Sequence, residues 1–291
     1  MDKLDVKILR LLWEDGRMPI YRIAEKLNIS GAAVDKRIKG MQRRGELLGF
    51  TILLNSDYIL NSAVVAIKTR KKRREVFEKI GMINGVMHFI GCLGGRYYGE
   101  FWFEDEFELE DKTMLFKEVL GAYSVEIYRH RKIGNYNLED KDWKILLAMK
   151  DNARIPFSKL SDIVGMSSKT ISRRWERLTQ DDVVKAYPII NRPFTKDIFW
   201  FSLFVEVDSL ELEMKIKKMD NLWRTSIFSS PKMVYGVFYA EAVREIDETM
   251  ERIIGMKGVR RVHYEIIVEE KFFPNYLEYV SQKLGFKNKK I

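Results

Sequence analysis

The sequence predicts an α+β chain in which one two-part unit is built twice: a three-helix head with an extended arm, then a tail alternating strand and helix. Three observations predict it. The first is an internal repeat. Asp5-Val6-Lys7-Ile8-Leu9 returns as Asp142-Trp143-Lys144-Ile145-Leu146, an offset of 137 (142 − 5) that also relates Arg17 to Arg154, Pro19 to Pro156, Ser30 to Ser167, Arg37 to Arg174, Ile52 to Ile189, Gly121 to Gly258 and Val125 to Val262. The second is a set of helical apolar stripes bounded by caps at the head of each copy. The third is a strand-helix-strand-strand-helix-strand rhythm behind each head.

In the first head, Leu4, Ile8 and Leu11/Leu12 share one helical face, and Asp15-Gly16-Arg17-Met18-Pro19 breaks it. Pro19 suits the opening of a second helix, whose stripe is Ile20, Ile23, Ala24 and Leu27. Asn28-Ile29-Ser30 is a tight turn, and Ser30 is an N-cap for a third helix that buries Val34, Ile38 and Met41 and stops at Gly45. Leu47 to Leu54 read as an extended segment. The second head repeats the plan with Phe157, Leu160 and Val164, then Gly165-Met166-Ser167, then Ile171, Trp175 and Leu178. There Asp181 and Asp182 replace Arg44 and Gly45, and Pro188 interrupts the arm. Two short helices, a turn, a capped third helix and a β arm describe a winged helix-turn-helix.

The first tail reads as strand Ala63–Lys68, helix Lys72–Met82, strands Val86–Cys92 and Tyr97–Phe103, helix Phe107–Val119 and strand Tyr123–Tyr128. The second reads as Phe201–Val207, Leu210–Met219, Arg224–Phe228, Val234–Tyr239, Arg244–Ile254 and Val259–Val268. Both are the ferredoxin-like βαββαβ motif. The expected domains are 1–55 and 136–193 for the heads, 56–135 for the first tail, and 194–291 for the second with a C-terminal tail. Aromatic-rich strands in both tails want a partner surface, so the two tails are expected to pack sheet against sheet, an intramolecular pseudo-dimer from which the heads project.

Composition excludes several classes. Of 291 residues 46% are hydrophobic and 32% charged, which describes a globular protein with real cores. One cysteine, Cys92, leaves no disulfide framework and fits a reducing compartment. The charged start and the absence of an apolar run of about 20 residues place the chain in the cytoplasm with no membrane span. The three histidines, His88, His130 and His263, lie outside helical ligand spacing of one another, and no zinc, nucleophile-elbow or phosphate-loop motif occurs. No metal, no cofactor and no enzymatic activity is expected.

The net charge of +9 permits a polyanionic partner. Residues 30–44 carry Lys36, Arg37, Lys39, Arg43 and Arg44 against Asp35, and residues 167–181 carry Lys169, Arg173, Arg174 and Arg177 against Glu176 and Asp181. With the buried stripes removed, the third helices expose Gly31, Ala32, Lys36 and Lys39 in one copy and Ser168, Lys169, Ser172 and Arg173 in the other, beside the exposed acids Asp35 and Glu176. Arg37, Arg43, Arg44, Arg174 and Arg177 lie at helix edges or ends. Small residues at a helix start allow close approach to base edges, and cations further along meet phosphates. Double-stranded DNA is therefore the expected partner, contacted through these residues and the caps Ser30 and Ser167. The first head, at +4 against +2, is expected to dominate. The run Lys68-Thr69-Arg70-Lys71-Lys72-Arg73-Arg74 sits at a helix start, where cations are disfavoured. It points to flanking DNA or to a second copy of the fused chain. The acidic stretch 104–111 reads as the first turn of a helix.

The head residues Leu4-Asp5, Ile8-Leu9, Arg17, Ile23-Ala24-Glu25-Lys26-Leu27-Asn28-Ile29-Ser30 and Val34-Asp35-Lys36-Arg37-Ile38 resemble the Lrp/AsnC (leucine-responsive regulatory protein) family, and the βαββαβ tails resemble that family's effector-binding, oligomerising domain. The resemblance implies a prokaryotic transcriptional regulator whose usual dimer is here made covalent. It also implies an effector turn between the second and third tail strands, at Gly94, Gly95, Arg96, Tyr97 and Tyr98. Amino-acid-sensing members carry a Gly-acidic-Tyr-Asp turn there. This chain has Gly95-Arg96-Tyr97-Tyr98 and Pro231-Lys232-Met233-Val234, without the carboxylate that would hold an amino group. Two other readings share the architecture. One is a sirohaem decarboxylase-like enzyme, faintly resembled by Gly85-Val86-Met87-His88 with Tyr98 to Phe103, against which His88 reads as a sheet-edge histidine. The other is a nucleoid-like architectural DNA-binding protein.

Overall fold

The computed structural model describes residues 1–192 and 198–286. The expected boundary at 193/194 and the last five residues of the chain lie outside the described residues. The first head contains α1 (Lys3–Glu14), α2 (Ile20–Leu27), α3 (Gly31–Arg43) and β1 (Leu47–Leu54). The first tail follows with β2 (Asn61–Thr69), α4 (Arg73–Lys79), β3 (Val86–Cys92), β4 (Arg96–Phe103), α5 (Glu106–Leu120) and β5 (Ala122–His130). The second copy repeats this as α6 (Asp140–Ala148), α7 (Phe157–Val164), α8 (Ser168–Gln180), β6 (Val184–Ile190), β7 (Phe199–Val207), α9 (Leu212–Ile216), β8 (Leu222–Ser230), β9 (Met233–Ala240), α10 (Val243–Ile254) and β10 (Val259–Phe272). A last helix, α11 (Tyr276–Lys283), closes the described chain.

Two compact units result, and each contains half of both copies. The head unit is residues 1–60, 133–191 and 272–291, and the tail unit is residues 61–132 and 192–271.

In the head unit the caps do what the sequence asks. Ser30 and Ser167 accept hydrogen bonds from Ala33 N and Thr170 N, at 3.1 and 3.2 Å. Val34, Ile38 and Met41 are buried under α3, and Ile171, Trp175 and Leu178 under α8. Gly45 turns the chain after α3 at φ +68°, and Asp182 holds the same left-handed turn at φ +53°. Aspartate tolerates that region better than most residues, so the replacement keeps the geometry.

The arms differ from the expectation of one wing per head: β1 and β6 pair with each other as an antiparallel ribbon, from Leu47 opposite Ile190 to Leu54 opposite Val184. Pro188 faces Phe50 and donates nothing, and the Phe50 carbonyl instead accepts from Ala153 N at 2.9 Å. The heads also grip each other reciprocally. Arg17 donates to the carbonyls of Ala153 and Ile155 at 2.6 and 3.0 Å, and Arg154 donates to Met18 O at 3.3 Å. Gly16 must be glycine for this contact, since a Cβ there would lie 2.5 Å from the Ala186 carbonyl oxygen. The C-terminal helix, expected with the second tail, belongs to this unit: the Tyr276 hydroxyl accepts from Leu54 N and donates to Ile52 O, both at 3.0 Å.

The tail unit is a closed barrel in the order β10-β3-β4-β2-β5-β8-β9-β7. Each copy contributes a four-stranded ferredoxin-like sheet, and the copies join at both edges. Arg129 and His130 pair with Ser230 and Phe228 on one side, and Leu93 N donates to Ile266 O at 2.9 Å on the other. The expected face-to-face packing is present as well, with Tyr98 stacked on Phe204 at 4.6 Å. Closure hydrogen-bonds the strand edges that two separate open sheets would expose.

Candidate nucleic-acid interface

Each third helix starts at a serine cap with small residues in its first turn. Ser30, Ala32, Lys36, Lys39, Arg43 and Arg44 are exposed on α3, as are Ser167, Lys169 and Arg173 on α8. Gly31, Ser168 and Ser172 are half-buried, the Ser168 hydroxyl donating to Phe157 O and the Ser172 hydroxyl to Glu176.

The structure divides the expected cations into two groups. Arg37 donates to Asp2 and Asp5 at 2.7 and 2.8 Å, and Arg44 pairs with Glu46 at 2.7 Å and with Asp5. In the second head Arg174 donates to Asp142 and Glu139, both at 2.9 Å, and Arg177 holds the same two acids at 2.7 and 3.2 Å. Asp142 is fully buried. These four arginines tie the third helix of each head to the capping acids of its first helix. The Arg174 and Arg177 hydrogen bonds hold the Glu139 carboxyl below its ordinary range. Burial opposes the same effect at Asp2, but bonds from Arg37 and the Asp5 amide outweigh it. Lys39 is paired with Asp35 at 2.7 Å. Lys36 and Arg43 on α3, and Lys169 and Arg173 on α8, have no carboxylate partner among the described residues. Each third helix therefore offers two such cations.

The spacing itself carried a signal for the structural group. Asp5 and Arg37 stand 32 residues apart (37 − 5), as do Asp142 and Arg174 (174 − 142), so the pair survived duplication intact.

The five residues expected at the effector turn do not converge on one site. Gly94 and Gly95 make the β3–β4 turn at φ +87° and +79°. Successive side chains of β4 point to opposite faces. Tyr97 thus packs on Phe89 and Phe77 on the helix side, while Arg96 and Tyr98 face the layer between the sheets. There Arg96 donates to His263 Nε2 at 2.8 Å, and the Tyr98 hydroxyl donates to Glu265 at 3.3 Å. Burial pushes the Tyr98 phenol far above its ordinary range.

His88, expected at a sheet edge, is buried because β3 finds β10 as a neighbour. It contacts Glu270 at 3.1 Å, and Glu270 also pairs with Arg192. Burial keeps His88 below its usual pKa. Glu270 stays low despite burial because Arg192 and His88 face it. Glu100 lies between His130 and Arg224, at 3.6 Å from each. Sequence reasoning missed this charged layer, whose members come from both copies.

Three of the six cations in the basic run at α4 face carboxylates within the tail unit. Lys71 lies 3.3 Å from Glu75, Arg74 2.8 Å from Glu78, and Arg73 3.9 Å from Glu269. The acidic run caps α5 as expected, with Asp105 accepting from Glu108 N at 3.0 Å. Among the described residues no group of three or more His, Cys, Asp or Glu could hold a metal ion, and no helix is long and apolar enough to cross a membrane.

Comparison with known proteins places this geometry. The model of the AsnC-type helix-turn-helix domain matches residues 1–42 and again 138–179. The chain is 40% identical over 102 residues to the HTH-type transcriptional regulator LysM of Sulfurisphaera tokodaii, covering 33% of this chain and 69% of that one. It is 40% identical over 83 residues to the HTH-type transcriptional regulator LrpA of Pyrococcus horikoshii, covering 28% of this chain and 59% of that one. The matched stretches thus span little more than half the length of several of these curated relatives. Among solved structures, the sirohaem decarboxylase NirDL is similar over 97% of this chain and 98% of its own, with a TM-score of 0.56 and 15% identity. That last likeness is one of fold.

Proposed function

The chain belongs to the Lrp/AsnC family, with the family's helix-turn-helix in both halves, and from that premise we propose that it is a DNA-binding transcriptional regulator acting as its own covalent pseudo-dimer. The observation that supports this most is the pair of serine-capped third helices held in one unit by the β1–β6 ribbon, each with two cations that no carboxylate answers. The first turns of α3 and α8, at Ser30, Gly31 and Ala32 and at Ser167, Ser168 and Lys169, approach base edges in the major groove. Lys36, Arg43, Lys169 and Arg173 neutralise phosphates beside them. Lys39 and Ser172 lie on the same faces. A small-molecule effector, where one acts, meets the polar layer around Arg96 and Tyr98 rather than the outer turn. The reading is of a binder, not a catalyst.

The sirohaem decarboxylase-like reading has one observation in its favour, the buried histidines and arginines between the tail sheets. It is the weaker because His88, Arg192, Arg224 and Arg96 each already face a carboxylate of the chain. Carboxylates of a tetrapyrrole would have to displace Glu270, Glu100 and Glu265.

Selection of bound fragments from random DNA by the purified chain, at stated salt, tests the proposal. A recovered motif with a specificity ratio of at least about 10³ over random DNA supports a regulator, and uniform retention of all sequences identifies an architectural binder. The Lys36→Ala/Arg43→Ala and Lys169→Ala/Arg173→Ala variants should lose affinity to a similar extent, each reducing the salt slope by roughly 1.8. No DNA retention at low salt, together with turnover of an iron tetrapyrrole, would replace the proposal with the enzyme.

A further inference from the structure

The offset of 137 also brings out a difference between the two tails. In the first, α5 carries Phe107 and Met114 two turns apart on one face, 81% and 52% exposed, with Leu115 exposed beside them. Tyr123, at 68% exposure, stands just past the helix end at Gly121. The second tail holds Arg244, Glu251, Arg252 and Arg260 at the same four positions, all exposed. The apolar residues that α10 does expose, Val243 and Ile254, are eleven positions apart (254 − 243), with Asp247 between them. One fold thus carries charge on this helix face in one copy and apolar side chains in the other. Clustered exposed apolar surface marks a contact.

The two ends of the α5 face differ in sign. Its start is acidic, with Glu104, Glu106, Glu110 and Asp111 exposed. Cations gather at its end, where Lys71 donates to Val119 O at 3.1 Å and the Arg70 guanidinium lies 5.9 Å from the Tyr123 ring. Lys72, next in the chain, and Lys117 of the last turn are exposed as well, against Glu118. Arg70 and Lys72 have no carboxylate partner among the described residues. We propose that this face binds a second copy of the same chain, α5 against α5, about a two-fold axis near Met114. The antiparallel pairing lays the acidic end of each helix on the basic end of the other, so the face is its own complement. A polyanion such as DNA would be repelled by the acidic end. Because the second tail lacks the face, the contact closes at two chains. A helix of 15 residues is about 22 Å long, which puts the contact at the small end of specific interfaces and its dissociation constant on the order of 10 µM. The inference goes beyond the DNA reading and does not rest on it.

The test is sedimentation velocity of the full chain without DNA, from about 1 to 200 µM. A reversible monomer–dimer equilibrium with no larger species is expected. Phe107→Arg/Met114→Glu puts on α5 the residues that the same fold already carries on α10, and should weaken the dimer at least about tenfold. Glu110→Lys/Asp111→Lys and Arg70→Glu/Lys72→Glu change only exposed side chains. Each of these charge variants alone should weaken self-association at least about tenfold, because like charges then meet at both ends. Mixed in equal amounts, the two should regain a dimer containing one of each. An unaltered chain that stays monomeric throughout overturns the proposal. So does a dimer that Phe107→Arg/Met114→Glu leaves unchanged, or a mixture of the two charge variants that fails to associate.

Discussion

Arg174→Met separates the two groups of cations, because it removes a guanidinium expected at DNA while keeping the length and apolar stem of the side chain. Arg174 is 13% exposed and donates to Asp142, which is fully buried, and to Glu139. Breaking a buried ion pair by removing one partner costs about 3–5 kcal/mol, since the remaining charge is left desolvated. Asp142 would keep Arg177 at 2.7 Å and its bond from Glu139 N at 3.1 Å. The loss should therefore fall below that range, at about 2–3 kcal/mol. For a unit of this size it lowers the midpoint of thermal unfolding by roughly 6–12 °C. Scanning calorimetry reads the stability, and fluorescence anisotropy on a selected operator at 20 °C reads the affinity. The expected pattern is a lowered midpoint with affinity changed less than about threefold, against the reverse for Arg173→Ala, one residue away and exposed. Tenfold weaker DNA binding at an unchanged midpoint would refute the assignment of Arg174 to the α6–α8 tie.

Stability of the head unit should depend on acid. The folded-state pKa values of Glu139 and Asp2 lie below their unfolded values. Their contribution is therefore complete above the ordinary carboxylate range near pH 4 and is lost as pH falls through the folded values. Urea midpoints between pH 7 and pH 3 check this, with a shallower fall expected for Arg174→Met. Gly16→Val pushes a side chain into the backbone of Ala186 and should cost on the order of 2–3 kcal/mol, read as an earlier thermal transition. An unchanged transition would mean the heads do not meet there. Tyr276→Phe leaves Leu54 N and Ile52 O without their partner and should cost about 1–3 kcal/mol. It should also raise the hydrogen-exchange rate of the Leu54 amide.

What could be read from the sequence follows the range of the interaction concerned. Ser30, Asn28 and the Val34-Ile38-Met41 stripe act over three or four residues, so caps, turns and buried faces were visible, and the duplicated chain displayed each signal twice. Pairings across more than a hundred residues were not visible. Nothing local says that Leu47–Leu54 will choose Val184–Ile190. The near-continuous apolar run Leu47-Leu48-Gly49-Phe50-Thr51-Ile52-Leu53-Leu54 was nevertheless a hint, because a lone arm facing water on one side would alternate. A helical wheel placed Arg37 and Arg174 at the helix edge and could not say whether that edge met solvent or the first helix. The effector turn was located correctly as a turn, but side-chain alternation along β4 sends Tyr97 and Tyr98 to different layers.

The closed barrel has a consequence for how the chain is made. Its first four strands are finished when β5 ends at His130, but they gain their outer neighbours only when β8 and then β10 emerge. At ordinary translation rates the 142 residues from His130 to Phe272 (272 − 130) take about 7–28 s to synthesise. During that interval a half-built chain on the ribosome shows two unpaired strand edges and an aromatic face. The neighbouring ribosome on the same message can present another copy of that surface. Fusion removes the concentration dependence of an ordinary two-chain assembly and puts a race against time in its place. Slow codons or a pause between the two halves would favour first-half pairs that lock out their own second halves.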